Sequence, residues 1–124
     1  MLVEDNSDAR EMLAKTFHRR GFDVLEAPDG ETALELLEDF EPRVAVIDIG
    51  LPGMSGEELA EKIRKDQRWD DVMLIALTGF GQSDEKLASL QAGFDHHFTK
   101  QLQFSELHDL ILTQLSSESA GVPQ

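Results

Sequence analysis

The chain of 124 residues contains no cysteine, which removes disulfides, thiolate nucleophiles and cysteine-held zinc from its chemistry and fits a reducing compartment. Basic residues are scarce: 11 Lys and Arg stand against 25 Asp and Glu, a formal net charge of -14. A surface of that sign repels phosphate backbones and anionic lipid, so direct binding to nucleic acid or membrane is not expected. No apolar run approaches the roughly 20 residues that cross a bilayer, and no basic segment leads into an apolar one at the N-terminus; the expected location is cytoplasmic. Phosphate-cradling glycine patterns are missing too. Neither G-x-x-x-x-G-K-[ST] nor G-x-G-x-x-G follows the first apolar run, and Pro52-Gly53 and Phe80-Gly81 read as turns, which argues against nucleotide binding.

What is present is a 40% hydrophobic chain of single-domain size, in which short β-branched runs alternate with amphipathic stretches. That alternation predicts an α/β fold with a parallel sheet covered by helices, in five strand-helix units. Met1-Leu2-Val3 is short for a first strand, which is expected to be truncated. After Asn6, the residues Ala9, Met12, Leu13, Thr16 and Phe17 follow a helical stripe that Gly21 ends. Phe22 to Ala27 reads as a strand, and Pro28-Asp29-Gly30 turns into a helix carrying Ala33, Leu34, Leu37 and Phe40. Val44-Ala45-Val46-Ile47 is continuously apolar, as a strand buried on both faces should be, and stops at Asp48. Ser55 and Glu58 form a capping box for a helix packing through Leu59 and Ile63. Val72 to Leu77 is the fourth strand, followed by a weakly apolar helix over about 83–92. A short strand from Asp95 to Thr99 precedes Lys100, and the last helix carries Leu107, Leu110, Ile111 and Leu115. The domain is expected over 1–115, with 116–124 a flexible tail or linker.

Polar residues stand at the carboxyl ends of these runs: Glu4 and Asp5 after the first, Asp48 after the third, Thr78 after the fourth and Lys100 after the fifth. Open parallel sheets bind ligands beyond those ends, where the strand order reverses. If the first and third strands are neighbours, as in the order 2-1-3-4-5, three carboxylates converge and repel one another unless a cation joins them. Oxygen-only ligands favour a hard ion, Mg²⁺ above others. Asp48 could then use an oxygen as a nucleophile toward phosphorus, forming an acyl phosphate, while Lys100 balances phosphoryl charge and Thr78 donates a hydrogen bond. Singly, each residue has a plainer reading: acids at a helix start, a turn-capping Asp, a strand-end hydroxyl, a solvated lysine. The set, each member on a different strand tip, is what points to a site.

Val3-Glu4-Asp5-Asn6, Ile47-Asp48-Ile49-Gly50-Leu51-Pro52-Gly53-Met54-Ser55-Gly56, Ala76-Leu77-Thr78-Gly79 and Ala92-Gly93-Phe94-Asp95 leading to Thr99-Lys100 occur in the order found in one family. Nearly the whole chain to Leu115 resembles the receiver domain of two-component response regulators, similar to the single-domain chemotaxis regulator. The resemblance implies a flavodoxin-like, doubly wound five-stranded parallel sheet of order 2-1-3-4-5 with five helices. It further implies Asp48 as phosphoacceptor and Mg²⁺ as cofactor, with Asp5 a direct metal ligand, Glu4 a ligand through water and the Gly50 carbonyl another ligand. Thr78 and Lys100 would contact the phosphoryl group, with Thr78 and His97 acting as the switch that alters the surface of helix four, strand five and helix five. The implied partner is a sensor histidine kinase or a histidine phosphotransfer protein docking near helix one. No separate substrate turnover is expected, only the domain's own phosphorylation and dephosphorylation. Gly50 and Phe80 occupy the positions that tune phosphoryl lifetime in the family.

Two positions depart from the family pattern. Gln101 follows Lys100 where proline is usual with a cis bond before it; a cis bond before a non-proline residue costs about 2.5–4 kcal/mol. His97 replaces the usual Tyr or Phe three before the lysine, which makes that position sensitive to pH. The run Gly93 to Lys100 resembles receivers fused to hybrid histidine kinases and other multidomain sensors, so an output domain in the natural chain is expected to be possible. Two rivals remain. An aspartyl phosphatase or phosphotransferase would carry a second acid two residues after its nucleophile, where this chain has Gly50. A degenerate receiver would bind partners without phosphorylation.

Overall fold

The computed structural model describes residues 1–78, 92–99 and 108–113. Five strands, β1 (Leu2–Val3), β2 (Glu26–Ala27), β3 (Val44–Asp48), β4 (Met73–Thr78) and β5 (His96–Thr99), form one sheet in the order β2-β1-β3-β4-β5. Every neighbouring pair is parallel. The order reverses between β1 and β3, so the connections leaving them diverge and open a crevice at their carboxyl ends. Between the strands run α1 (Ser7–Arg19), α2 (Gly30–Asp39) and α3 (Gly56–Arg64), then a short 3-10 turn (Gln67–Trp69). Residues 108–113 are helical.

Alternate residues of each central strand serve opposite faces. On β4, Leu74 and Ala76 join a cluster with Ala33 and Leu37 of α2 and Leu59, Ala60 and Ile63 of α3. Ile75 and Leu77 join a second cluster with Ala14 and Phe17 of α1 and Ile111. A sheet covered on both faces explains why β3 and β4 are almost wholly apolar.

The helices start where short polar side chains satisfy their first amides. Asn6 accepts from the Ala9 N–H at 2.9 Å, Asp29 from Thr32 at 2.7 Å and Ser55 from Glu58 at 3.1 Å. At the other end of α3, Arg64 donates to the Gly93 carbonyl at 3.0 Å and pairs with Asp95 at 2.7 Å. The same Asp95 oxygen accepts from the Leu74 N–H at 2.9 Å, so one side chain ties α3, the start of β4 and the entry to β5. Gly93 has φ of +115°, and an added Cβ would lie 2.6 Å from Arg64 Cγ; backbone conformation and this ion pair both require glycine there.

Some sequence expectations need correction. β2 is confined to Glu26–Ala27 instead of starting at Phe22, because a strand exists only where a neighbour pairs and β1 pairs two residues. Met12 is 70% exposed although it fits the helical stripe of α1: the buried line runs through Ala14 and Phe17. Phe40 does not pack on the inner face of α2. It is the extended residue that closes the helix, with φ of −129°, and is half exposed. Phe80, Lys100, Gln101, Leu107, Leu115, most of the helix expected over 83–92, and the tail over 116–124 lie outside the described residues. Among the described residues, no helix is long and apolar enough to cross a membrane.

Candidate functional site

The crevice at the carboxyl ends of β1 and β3 gathers three acids. Glu4 directly follows β1, its N–H donating to the Ala27 carbonyl of β2 at 3.0 Å, and its side chain is 2% exposed. Asp5 is exposed at the start of the loop into α1, and Asp48 is the last residue of β3 and buried. One carboxylate oxygen from each lies within 4.8 Å of the other two. At that separation two like charges repel by roughly 3 kcal/mol at an effective dielectric constant of about 20, so the arrangement favours a cation between them. The donors are all oxygen, with no thiolate or imidazole in the group, which suits a hard divalent ion.

Asp48 is held by backbone. Its Oδ1 accepts from the Gly50 N–H at 3.0 Å, and the Ile49 N–H donates to the Leu77 carbonyl of β4 at 3.1 Å. Beyond Gly50, the chain turns back until the Gly56 N–H donates to the Ile49 carbonyl at 3.1 Å. A Cβ on Gly56 would lie 2.5 Å from the Asp48 carbonyl oxygen and 2.8 Å from Ile49 Cα. Only glycine permits the first turn of α3 to sit this close behind the acid. Position 50 is different, since a Cβ there would be in ordinary contact, 3.7 Å from Asp48 Oδ1.

Glu4 is held from two sides. The Asn6 N–H donates to its Oε2 at 3.3 Å, and Arg10 of α1 donates from Nη1 to its main-chain carbonyl at 2.8 Å. Arg10 also pairs with Glu26 of β2 at 3.5 Å, so it joins α1, β2 and the loop that carries two of the acids.

Thr78 ends β4 one residue beyond Leu77, the register partner of Asp48, and is buried. Its hydroxyl lies 3.3 Å from Nε2 of His97 on β5. The fold therefore brings Glu4, Asp5 and Asp48 together, places Gly50 against Asp48, and joins Thr78 to His97 on the adjoining strands. Lys100 lies outside the described residues.

Sequence reasoning gives Arg10 no role and Gly56 only a place in the Ile47 to Gly56 motif, although each leaves a trace. Arg10 falls in the stripe shared by Leu13, Ala14 and Phe17, where an apolar residue belongs, and Gly56 occupies the first position of a helix already capped by Ser55.

The response regulator receiver domain family matches residues 1–112. Over 107 residues the chain is 35% identical to the phosphate regulon transcriptional regulatory protein PhoB of Pseudomonas aeruginosa, an alignment covering 86% of this chain and 47% of that protein. The chain thus spans about half the length of PhoB. It is 34% identical to a chemotaxis protein CheY homologue of Campylobacter jejuni over 119 residues, covering 91% of this chain and 92% of the relative. Among solved structures, a response regulator from Chloroflexus aurantiacus superposes with a TM-score of 0.86 at 27% identity, covering 93% of this chain and 94% of the other. With the same sheet order, the acid crevice and a match along nine-tenths of its length, the chain belongs to the family of response regulator receiver domains.

Proposed function

We propose that Asp48 accepts a phosphoryl group from a phosphohistidine, on a sensor histidine kinase or a histidine phosphotransfer protein, in a Mg²⁺-dependent step. The observation that carries this reading is the trio Glu4, Asp5 and Asp48, whose oxygens lie within 4.8 Å of one another. The Gly50 N–H occupies Asp48 Oδ1 and orients the carboxylate for attack. In the transfer, a carboxylate oxygen bonds to phosphorus, the P–N bond breaks with its electron pair going to nitrogen, and the donor ring, already protonated on its other nitrogen, leaves as neutral imidazole. Thr78 donates a hydrogen bond to a phosphoryl oxygen and Lys100 offsets phosphoryl charge. Glu4, Asp5, Asp48 and the Gly50 carbonyl would hold Mg²⁺, which when bound supplies positive charge opposite the phosphoryl oxygens. Both phosphorylation and the later hydrolysis, in which water attacks phosphorus and inorganic phosphate leaves, act on the domain itself.

The exposed Met12 on α1, within the helix that leaves the acid loop, offers the donor protein an apolar contact. Phosphorylation would move Thr78 and His97 together and so alter the surface expected of helix four, strand five and helix five. A cytoplasmic location agrees with the cysteine-free composition.

The test is incubation with Mg²⁺ and a small phosphodonor, followed by intact mass. The wild type should gain one phosphoryl group and Asp48→Ala none. Undiminished labelling of the variant would refute the assignment of Asp48, and an unlabelled wild type would favour a degenerate receiver.

A further inference from the structure

The Thr78–His97 pair supports a step beyond phosphate acceptance, one that rests on the role proposed for Thr78. Register places Ala76 opposite His97 and Thr78 opposite Thr99, so Thr78 and His97 stand on the same face of adjacent strands, two residues apart. Their 3.3 Å contact joins a hydroxyl with a single proton to a ring nitrogen that can either donate or accept. When Nε2 carries a lone pair, it accepts the Thr78 proton, and that proton cannot also reach a phosphoryl oxygen. When Nε2 is protonated, it donates to Thr78 Oγ1, and the hydroxyl proton can be donated onward. Imidazolium has a proton on both nitrogens and is therefore always in the permissive form.

We propose that His97 positions the Thr78 hydroxyl proton, so that occupation of the phosphoryl site at Asp48 is linked to proton uptake by His97. The added negative charge of the phosphoryl group acts in the same direction, because it favours the cationic ring. Among the described residues, the ionisable groups near the pair are Asp95 and His96 on β5, Arg64 of α3, which is held to Asp95 at 2.7 Å, and Asp48, whose register partner Leu77 precedes Thr78. β4 itself, Met-Leu-Ile-Ala-Leu-Thr, contributes none. Asp95 is engaged by Arg64 and the Leu74 N–H. His96 points to the opposite face beside Phe98, with ring centroids 6.5 Å apart, and serves as an internal reference.

The linkage has a definite sign. A ring that binds its proton more tightly in the occupied state makes occupation tighter below the free-state pKa of His97, and the gain disappears as pH rises through the occupied-state value. Imidazole is the side chain whose charge ordinarily changes between about pH 5 and 8, so the linkage is followed across that range.

The experiment follows the histidine ring signals of the full chain by NMR against pH, with Mg²⁺ alone and with Mg²⁺ plus beryllofluoride, an analogue of the phosphoryl group. His97 should titrate at higher pH with beryllofluoride and His96 should be unmoved. Beryllofluoride affinity of the wild type should strengthen on the order of tenfold from about pH 8 to about pH 6, relative to His97→Phe and His97→Asn measured in parallel. A His97 titration that is unchanged, or that moves to lower pH as simple burial of the ring would cause, overturns the proposal while leaving Asp48 as the acceptor. Beryllofluoride that fails to bind the wild type, or binds Asp48→Ala equally well, refutes the phosphoacceptor reading and the linkage with it.

Discussion

Replacing Gly56 with alanine tests whether the close approach behind Asp48 matters to the site. The new Cβ would sit 2.5 Å from the Asp48 carbonyl oxygen, 2.8 Å from Ile49 Cα and 3.1 Å from the Asp48 carbonyl carbon. All three are main-chain atoms, so no side chain can rotate to relieve the contact. Restoring an ordinary separation of 3.4 Å requires the first turn of α3 to retreat by about 0.9 Å. That movement stretches the 3.1 Å bond from the Gly56 N–H to the Ile49 carbonyl and tilts the peptides leading to Gly50, whose N–H orients the Asp48 carboxylate.

Overpacking of this kind costs about 1–3 kcal/mol, and the better helix propensity of alanine returns at most about 1 kcal/mol. A net loss of about 1–2 kcal/mol corresponds to a urea midpoint lower by roughly 0.5–1 M for a domain of this size. The effect on transfer should be larger, because a misplacement near 1 Å at a reacting group can cost on the order of a hundredfold in rate. Urea unfolding and the initial rate of phosphorylation by a small donor give the two numbers. Gly50→Ala is the control, as its Cβ meets only Asp48 Oδ1 at 3.7 Å and should leave the urea midpoint nearly unchanged. A Gly56→Ala protein that unfolds and phosphorylates like the wild type would show that the contact is relieved without consequence, and the reasoning would be wrong.

Two further outcomes follow from groups at the same end of the sheet. Asp5→Asn removes one of three clustered charges. In chelator it should melt above the wild type, and Mg²⁺ should reverse the order, because the wild type gains about 2.7 kcal/mol at about a hundred times Kd while the variant binds more weakly; an identical Mg²⁺ response in calorimetry would separate Asp5 from the metal. Asp29 caps α2, and its carboxyl is held below its ordinary value of 3.8, first by the backbone bond from Thr32. Its contribution is complete above the ordinary carboxylate value and is lost as pH falls through the lowered folded value. Asp29→Ala should therefore cost up to about 1 kcal/mol at neutral pH and progressively less in acid, whereas Asp29→Asn should keep most of the cap and lose the acid dependence; urea midpoints at neutral pH and near pH 3 that fall equally for wild type and alanine variant would count against it.

The features that proved legible in the sequence are those that local patterning dictates. Continuous apolar runs mark β3 and β4 because both faces of a parallel sheet are covered, and the polar residues that interrupt them, Asp48 and Thr78, stand at strand tips by necessity. Asn6, Asp29 and Ser55 announce helices because each bonds an amide three residues on, within reach of its own segment. The convergence of Glu4 and Asp5 with Asp48 required one more fact, the adjacency of β1 and β3, which the sequence supplied through family resemblance and not through spacing.

What escaped is what tertiary approach decides. Met12 matches a helical period as well as Leu13 does, and only the direction from which β1 and β3 meet α1 leaves it in solvent. Arg10 interrupts an apolar stripe because its partners, the Glu4 carbonyl and Glu26, come from outside the helix. Gly56 matters through an absent side chain, and an absent side chain has no type by which to be recognised. The acids of the crevice are thus more legible than the residues that hold them, since charge at a strand tip needs a reason, while a glycine or a half-buried arginine acquires its reason only when the chain has folded.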